Sequence, residues 1–317
     1  MYQSGTRAVA RVDLGAAFME FMFKQEMFIG TKCLPILGVG DQAGYFDAIT
    51  RESIAQTPDA KRKESKYQRI GSETEDKSYT CKEWGLEGPL SDPKRKLYSK
   101  SFDAELVTVL GVANTLMLLQ EIRIKEALFN TSTFTGARLY TDVSSAPWDT
   151  VGSDAIGHVR AAMAKVLKNT GLMPTTMVIG HDTLTNLKNN TAIKAAIQYI
   201  EKLTDANLIA NMAALFGLRE VIVGSSVYNN AKKGQTMDGA FVWQDDYALI
   251  AVVASDGNDL IQPSIGRTLL WTEDSPQNIT TEQYREEQTR SDIFRVRHYV
   301  QEKIIDPYFG HLLKVDA

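Results

Sequence analysis

The stretch LYSKSFDAELVTVLGVANTLMLLQEIRIKEALFN, residues 97–130, decides the fold. Leu106, Leu110, Ala113, Met117, Ile124 and Leu128 recur at helical spacing on one stripe, interrupted by Gln120. Val112, Leu116 and Leu119 widen that stripe. Asp103 and Glu105 favour the N-terminal end, and Arg123 and Lys125 the C-terminal end, as the helix dipole prefers. About 28 helical residues would extend roughly 42 Å. Few compact domains of this size need so long a rod. The apolar run Val107 to Leu119 is interrupted by Gly111, Asn114 and Thr115, and reads as too short to span a bilayer.

Upstream of this rod the composition changes. From Tyr45 to Phe102, 22 of 58 residues are charged, about 38%, against about 20% in the rest of the chain. So charged a segment has little apolar surface to bury in a core of its own. Strand character at Tyr67 to Ile70 and Ser78 to Trp84 suggests a long hairpin-like excursion; a disordered linker is the alternative. Before it, Phe18, Met19, Met22, Phe23 and Met27 form an apolar helical face. Leu34-Pro35-Ile36-Leu37 then ends in Gly38-Val39-Gly40, with no second apolar element immediately following to pack against it.

Downstream the chain reads as α/β. Ala137 to Asp142 is a candidate strand. Gly152 to Asn169 is helical with Ser153 as its cap, and is stopped by Gly171. Thr175 to Ile179 is a short buried strand. Leu184 to Lys188, Thr191 to Glu201 and Asp205 to Phe216 read as helices. Strands follow at Arg219 to Val223, Ala240 to Gln244, Ala248 to Val253 and Thr268 to Thr272. Phe294, Val296, His298 and Val300 share one face of a further strand, with Arg295 and Arg297 on the other. Asp306-Pro307 breaks it, and Leu312 to Val315 closes the chain.

The 317 residues are 44% hydrophobic and 23% charged, with a net charge of −4, which excludes a mostly disordered chain and a strongly basic nucleic-acid binder. Cys33 and Cys81 are too few for a disulfide framework. The N-terminus has no apolar core of a signal peptide, which predicts a soluble protein made in a cytoplasm. Motifs of catalysis are missing. Gly38-Val39-Gly40-Asp41-Gln42-Ala43-Gly44 has the spacing G-x-G-x-x-x-G rather than that of a dinucleotide loop. His158, His181, His298 and His311 are scattered, and His298 reads as a hydrogen-bonded core histidine. Asp256-Gly257-Asn258-Asp259 lacks the rest of a calcium loop and reads as a solvated turn. No catalytic residue, cofactor-binding residue or metal ligand is assigned.

The order of parts resembles the major capsid proteins of tailed bacteriophages, the Hong Kong 97 fold. Leu97 to Phe102 leads into Asp103 to Asn130 as that family's extended loop leads into its spine helix. Asn169-Thr170-Gly171-Leu172-Met173-Pro174, then Met177-Val178-Ile179-Gly180-His181-Asp182 and Leu184 to Lys188, resemble the start of its axial domain. Val221-Ile222-Val223-Gly224 and Phe241-Val242-Trp243 resemble its later strands. The resemblance implies an α+β capsid fold. Residues 1–40 would be an N-terminal arm and 41–102 the extended loop. Residues 103–149 and 272–317 would form a peripheral domain with the spine helix, and 150–271 an α/β axial domain.

That likeness also implies a self-assembling shell subunit, not an enzyme. Copies would form hexamers and pentamers of an icosahedral virion capsid enclosing double-stranded DNA, met without sequence reading. The expected partners are further copies, a separate scaffolding protein, a portal and a decoration protein, with synthesis in the host bacterial cytoplasm and no membrane. With the loop starting near Tyr45, no room remains for a long scaffolding segment, so none is expected to be removed. Charge pairing across subunit boundaries is assigned to Arg62, Lys63 and Glu64 and to the Lys94-Arg95-Lys96 cluster. Covalent cross-linking through Lys61, Lys63 or Lys66 finds no marked acceptor. Two other readings stay open: an encapsulin-like nanocompartment shell, and a soluble α/β enzyme with a disordered insertion at 45–102.

Overall fold

The structure, a computed structural model, describes residues 9–10, 28–49, 71, 74–98, 103–150, 152–197, 205–232, 234–244, 246–259 and 262–316. The apolar face expected at Phe18 to Met27 lies outside them.

The rod is present as a 25-residue helix, Ala104–Leu128, so about 37 Å long. Asp103 caps it, its carboxylate accepting from the backbone N–H of Glu105 at 3.0 Å and Leu106 at 3.2 Å. Its length and composition would suffice to cross a membrane, contrary to the reading above. In the fold, however, one side of it lies on a sheet. Val109, Ala113, Leu116 and Met117 pack there against Leu90, Phe294 and Val296.

That sheet contains β1 (Val9–Ala10), β2 (Ile36–Val39), β5 (Lys82–Ser91), β12 (Gly266–Trp271), β13 (Thr280–Glu286) and β14 (Ser291–Ile304). The 14-residue β14 is its spine. Antiparallel β5 runs along it from Ser91↔Ser291 to Lys82↔Val300. β13 and then β12 take its opposite edge, and β2 adds parallel to β12. Gly88 of β5 lets the helix approach closely, since a Cβ there would stand 2.6 Å from Val112 Cγ2.

A second, five-stranded sheet runs in the order β6 (Tyr140–Asp142), β15 (Gly310–Lys314), β11 (Tyr247–Ala251), β7 (Thr176–Gly180), β8 (Glu220–Gly224). Its strands bury both faces, with alternation of period two. Met177, Ile179, Ala248, Ile250 and Leu313 enter one core with helices Ala155–Thr170, His181–Asn189 and Asp205–Phe216. Val178, Leu249, Ala251 and Leu312 enter another with Ile124, Leu128 and Phe129. The C-terminal end of the long helix is thereby wedged into the α/β part. Gly171 (φ 73°) ends helix Ala155–Thr170 in the left-handed conformation that glycine adopts without strain.

Several sequence expectations are corrected. Asp154, not Ser153, caps that helix, accepting from Gly157 N at 2.9 Å; Ser153 is buried and accepts from Asn190. The lead-in does find a partner, remote in sequence: Ile29, Cys33 and Leu34 are buried beside Ile124 and Leu128, and Ile36–Val39 joins the β14 sheet. The charged excursion ends at Thr80, because Lys82–Ser91 is a strand of the β14 sheet. The limits 150–271 also shift in pairing terms: Gly266–Trp271 joins the β14 sheet, whereas Tyr140–Asp142 and Gly310–Lys314 join the α/β sheet.

Candidate assembly surface

Apart from these sheets the chain forms a two-stranded ribbon, β3 (Ala43–Ile49) against β4 (Thr74–Thr80), in register from Ala43↔Thr80 to Ile49↔Thr74. The hairpin-like excursion is therefore formed at its base. Polar contacts to β14 and the residue after it root it. Lys77 Nζ donates to the Ile305 carbonyl at 2.9 Å, and Thr80 N donates to Gln301 Oε1 at 2.8 Å. Lys303 Nζ donates to the Ser78 carbonyl and lies over the Phe46 ring. The ribbon is otherwise open: Tyr45, opposite Ser78 within the root, is 80% exposed, and Glu75 and Asp76 are exposed further along.

Of the assigned contact residues, Arg62, Lys63 and Glu64 lie outside the described residues, as do Lys61 and Lys66. Lys94, Arg95 and Lys96 fall on a short helix, Asp92–Tyr98. Lys94 and Lys96 are exposed there, and Lys94 borders a shallow depression with Glu87, Ser91 and Glu286. Arg95 turns inward instead, its Nη2 at 2.7 Å from Glu105 and 2.5 Å from Asp292.

The same internal use of charge recurs across the sheet. Arg285 grips Asp92 with both nitrogens, at 2.7 and 2.8 Å, and holds the Asp92 carboxyl below its ordinary pKa. Arg295 pairs with Glu87 at 2.8 Å, Arg297 with Glu282 at 2.8 Å and with Asp274, and Arg123 with Glu302 at 2.9 Å. Of the charges assigned to subunit boundaries, Arg95 is spent within the subunit. Sequence composition shows charge density, not which partner lies opposite it.

The long helix supplies a further surface that sequence reading missed. Val107, Gly111, Thr115 and Leu119, four residues apart in turn, form its exposed stripe. From Leu106 to Gln120 no residue is charged. A solvent-facing helix stripe without charge is a signal that the sequence does carry, once the buried side is known.

The chemical candidates resolve into structural roles. Guanidinium nitrogens of Arg267, which is 2% exposed, donate to the carbonyls of Asp256, Gly257, Asp259 and Gln262. The Asp256–Asp259 turn is therefore ordered by an internal cation, not simply solvated. His158 accepts from Trp148 Nε1 at 3.2 Å. His298 is fully buried, yet among the described residues neither ring nitrogen has a hydrogen-bond partner, which corrects the hydrogen-bonded reading. Burial, with the Arg123 cation adding to it, pushes its pKa down to about 3. Cys33 and Cys81 are free and buried. Among the described residues no group of three or more His, Cys, Asp or Glu could hold a metal ion.

Comparison with known proteins is decided by shape. No protein-family model matches the sequence, and no curated protein matches it. Solved structures do. A phage-related protein from Bordetella bronchiseptica RB50 superposes with a TM-score of 0.72 at 19% identity, covering 98% of each chain. The capsid of the native GTA particle gives 0.59 at 12% identity, covering 100% of this chain and 95% of that one. The capsid of cyanophage P-SCSP1u gives 0.57 at 9%, covering 100% and 91%. The chain has the α+β Hong Kong 97-type fold that these capsid structures share.

Proposed function

We propose that this capsid-fold chain is the major head protein of a tailed bacteriophage, a structural subunit rather than an enzyme. Copies assemble as hexamers and pentamers into an icosahedral shell that encloses double-stranded DNA. The observation that carries this reading is the rooted, exposed ribbon Ala43–Ile49 and Thr74–Thr80, which a neighbouring copy would cover. The uncharged stripe of the long helix gives a second surface for such contacts. The shared fold of the capsid structures supports it throughout the chain.

In this reading the ion pairs on the β14 sheet stiffen the subunit, and the ribbon and helix stripe join subunits. Each exposed charge pair contributes little, about 0–1 kcal/mol. Shell stability then arises from repetition of weak contacts around each ring, which also lets misplaced subunits leave. A separate scaffolding protein guides closure, a portal occupies one vertex, and a decoration protein binds the outside.

Negative-stain electron microscopy of the purified chain, alone and with its neighbouring gene products, tests this. Closed shells or hexameric rings are expected, with DNA inside particles made in the host. Particles filled with an enzyme and free of DNA would favour the nanocompartment reading. A monomer under every condition would sink the shell reading. Replacing residues 51–70 by a short linker keeps every described pairing of β5 with β14, so the variant is expected to fold and to form no shells.

A further inference from the structure

Arg285, Arg295 and Arg297 of the β14 sheet are matched by carboxylates, but the cations of one helix are not. Helix Ala155–Thr170 carries Arg160, Lys165 and Lys168 and no acidic residue. Arg160 and Lys168 are exposed and lie two helical steps of four apart, so about 12 Å along one stripe. Arg138 joins them from the loop before β6. Its carbonyl accepts from Asn169 Nδ2 at 3.2 Å and from His311 Nδ1 at 2.9 Å, which fixes its backbone beside the helix end. Lys165 is half-buried, held by Thr141 Oγ1 at 2.6 Å. Among the described residues no carboxylate forms an ion pair with Arg138, Arg160, Lys165 or Lys168. The net charge of the whole chain is −4, so this face is a local reversal of sign.

We propose that the face formed by Arg138, Arg160, Lys165 and Lys168 binds the phosphate backbone of double-stranded DNA. This rests on the shell reading above and names the surface that would face the enclosed nucleic acid. A row of unpaired cations repels itself in a lone subunit, and a polyanion laid along it removes that repulsion. Twelve ångströms of duplex carry about seven phosphate charges, more than this face neutralises, so binding is electrostatic, weak and indifferent to sequence. A second copy is a poorer occupant: its ribbon offers Glu75, already 3.3 Å from Lys77, and Asp76 as isolated carboxylates, whereas a duplex presents a continuous row of phosphates along the stripe.

The test is fluorescence anisotropy of full-length unassembled subunits with a short labelled DNA duplex, titrated across a range of salt. Duplexes of different base composition should bind alike. Arg160→Gln with Lys168→Gln should lower the slope of log affinity against log salt by about 2, one for each lost phosphate contact. Arg160→Lys with Lys168→Arg should retain the parental slope, which separates charge from fold. An unchanged slope in the Gln variant, or no binding by the parent at low salt, would overturn the proposal. So would a loss seen only with polyglutamate as probe, which would point to an acidic protein instead. Intact shells should not bind duplex added from outside. If no shells form while subunits bind as described, the shell reading fails and the DNA-binding face stands.

Discussion

Trp243 Nε1 donates to Glu121 Oε1 at 2.6 Å, and this buried bond ties the α/β part to the long helix. The same carboxylate accepts from the backbone N–H of Ile29 at 3.0 Å and of Gly30 at 2.7 Å. One acid thus joins the lead-in, the helix and the turn after β10 (Gly239–Phe241). Burial pushes its pKa up while the three donors pull it down. Glu121→Ala would leave three buried donors without an acceptor, and is expected to cost about 2–4 kcal/mol in urea denaturation at pH 7. Glu121→Gln keeps one acceptor and should cost less. Because the folded pKa is raised, the parent loses stability as pH rises from the unfolded towards the folded pKa. The Gln penalty should therefore shrink from pH 4 to pH 8; a penalty that grows would contradict the assignment.

The helix itself was legible because its stripe persists over many turns. Glu121 was not, because in the run Gln120-Glu121-Ile122-Arg123 it reads as an ordinary surface acid. The end of the charged excursion was hidden for a related reason. Lys82, Glu83 and Glu87 are exposed, Leu86, Gly88 and Leu90 turn to the helix, and Trp84 on the same face meets it through the Arg123 guanidinium at 4.1 Å. Small or few inward residues leave a weak alternation. Sheet membership of Gly266–Trp271 depends on pairing with residues 36–39 and 300–304, which no local pattern encodes. Arg62, Lys63 and Glu64 remain proposals of the sequence alone. Arg95 shows how a cluster chosen by charge divides once its neighbours are known.

His298 gives the chain a definite response to acid. It is neutral in the fold, with a pKa of about 3 against the ordinary 6.5, and protonates first in the unfolded chain. Its contribution is fully present above about pH 6.5 and is lost as pH falls towards 3. The loss approaches about 1.4 kcal/mol per pH unit. His311 acts in the same direction, lowered to about 4 by burial while it donates to the Arg138 carbonyl. His298→Leu removes two unpartnered nitrogens at similar volume. It should be near neutral at pH 7 and more stable than the parent at pH 4.5, as read by thermal melting at both values. Equal melting curves at pH 4.5 would assign the acid response elsewhere.

Arg267 predicts a local failure. Its guanidinium spans carbonyls from Asp256 to Gln262, and Asn258 Oδ1 in turn accepts from Gly38 N at 3.3 Å. Arg267→Met keeps the apolar stem and removes the donors. The variant is expected to lose about 2–3 kcal/mol and to become open to protease between residues 256 and 262. Protection equal to the parent in limited proteolysis would show that the loop holds itself.

Gly111 separates what stabilises a subunit from what joins subunits. It sits in the middle of the long helix on the exposed stripe, and beyond the backbone of its own helix no heavy atom of the described residues comes within 4 Å of where a Cβ would stand. Glycine there costs the helix about 0.5–1 kcal/mol relative to alanine. Gly111→Ala should accordingly raise the stability of the isolated subunit by about that amount in urea denaturation. If a neighbouring copy packs on Val107, Gly111, Thr115 and Leu119, the added methyl stands between two closely packed backbones. Shell yield in electron microscopy should then fall even though the subunit is more stable. Leu119→Glu should abolish shells while leaving the subunit folded, since Leu119 is 41% exposed. Undiminished shells from both variants would free this stripe of any role in assembly and leave the ribbon as the joining element.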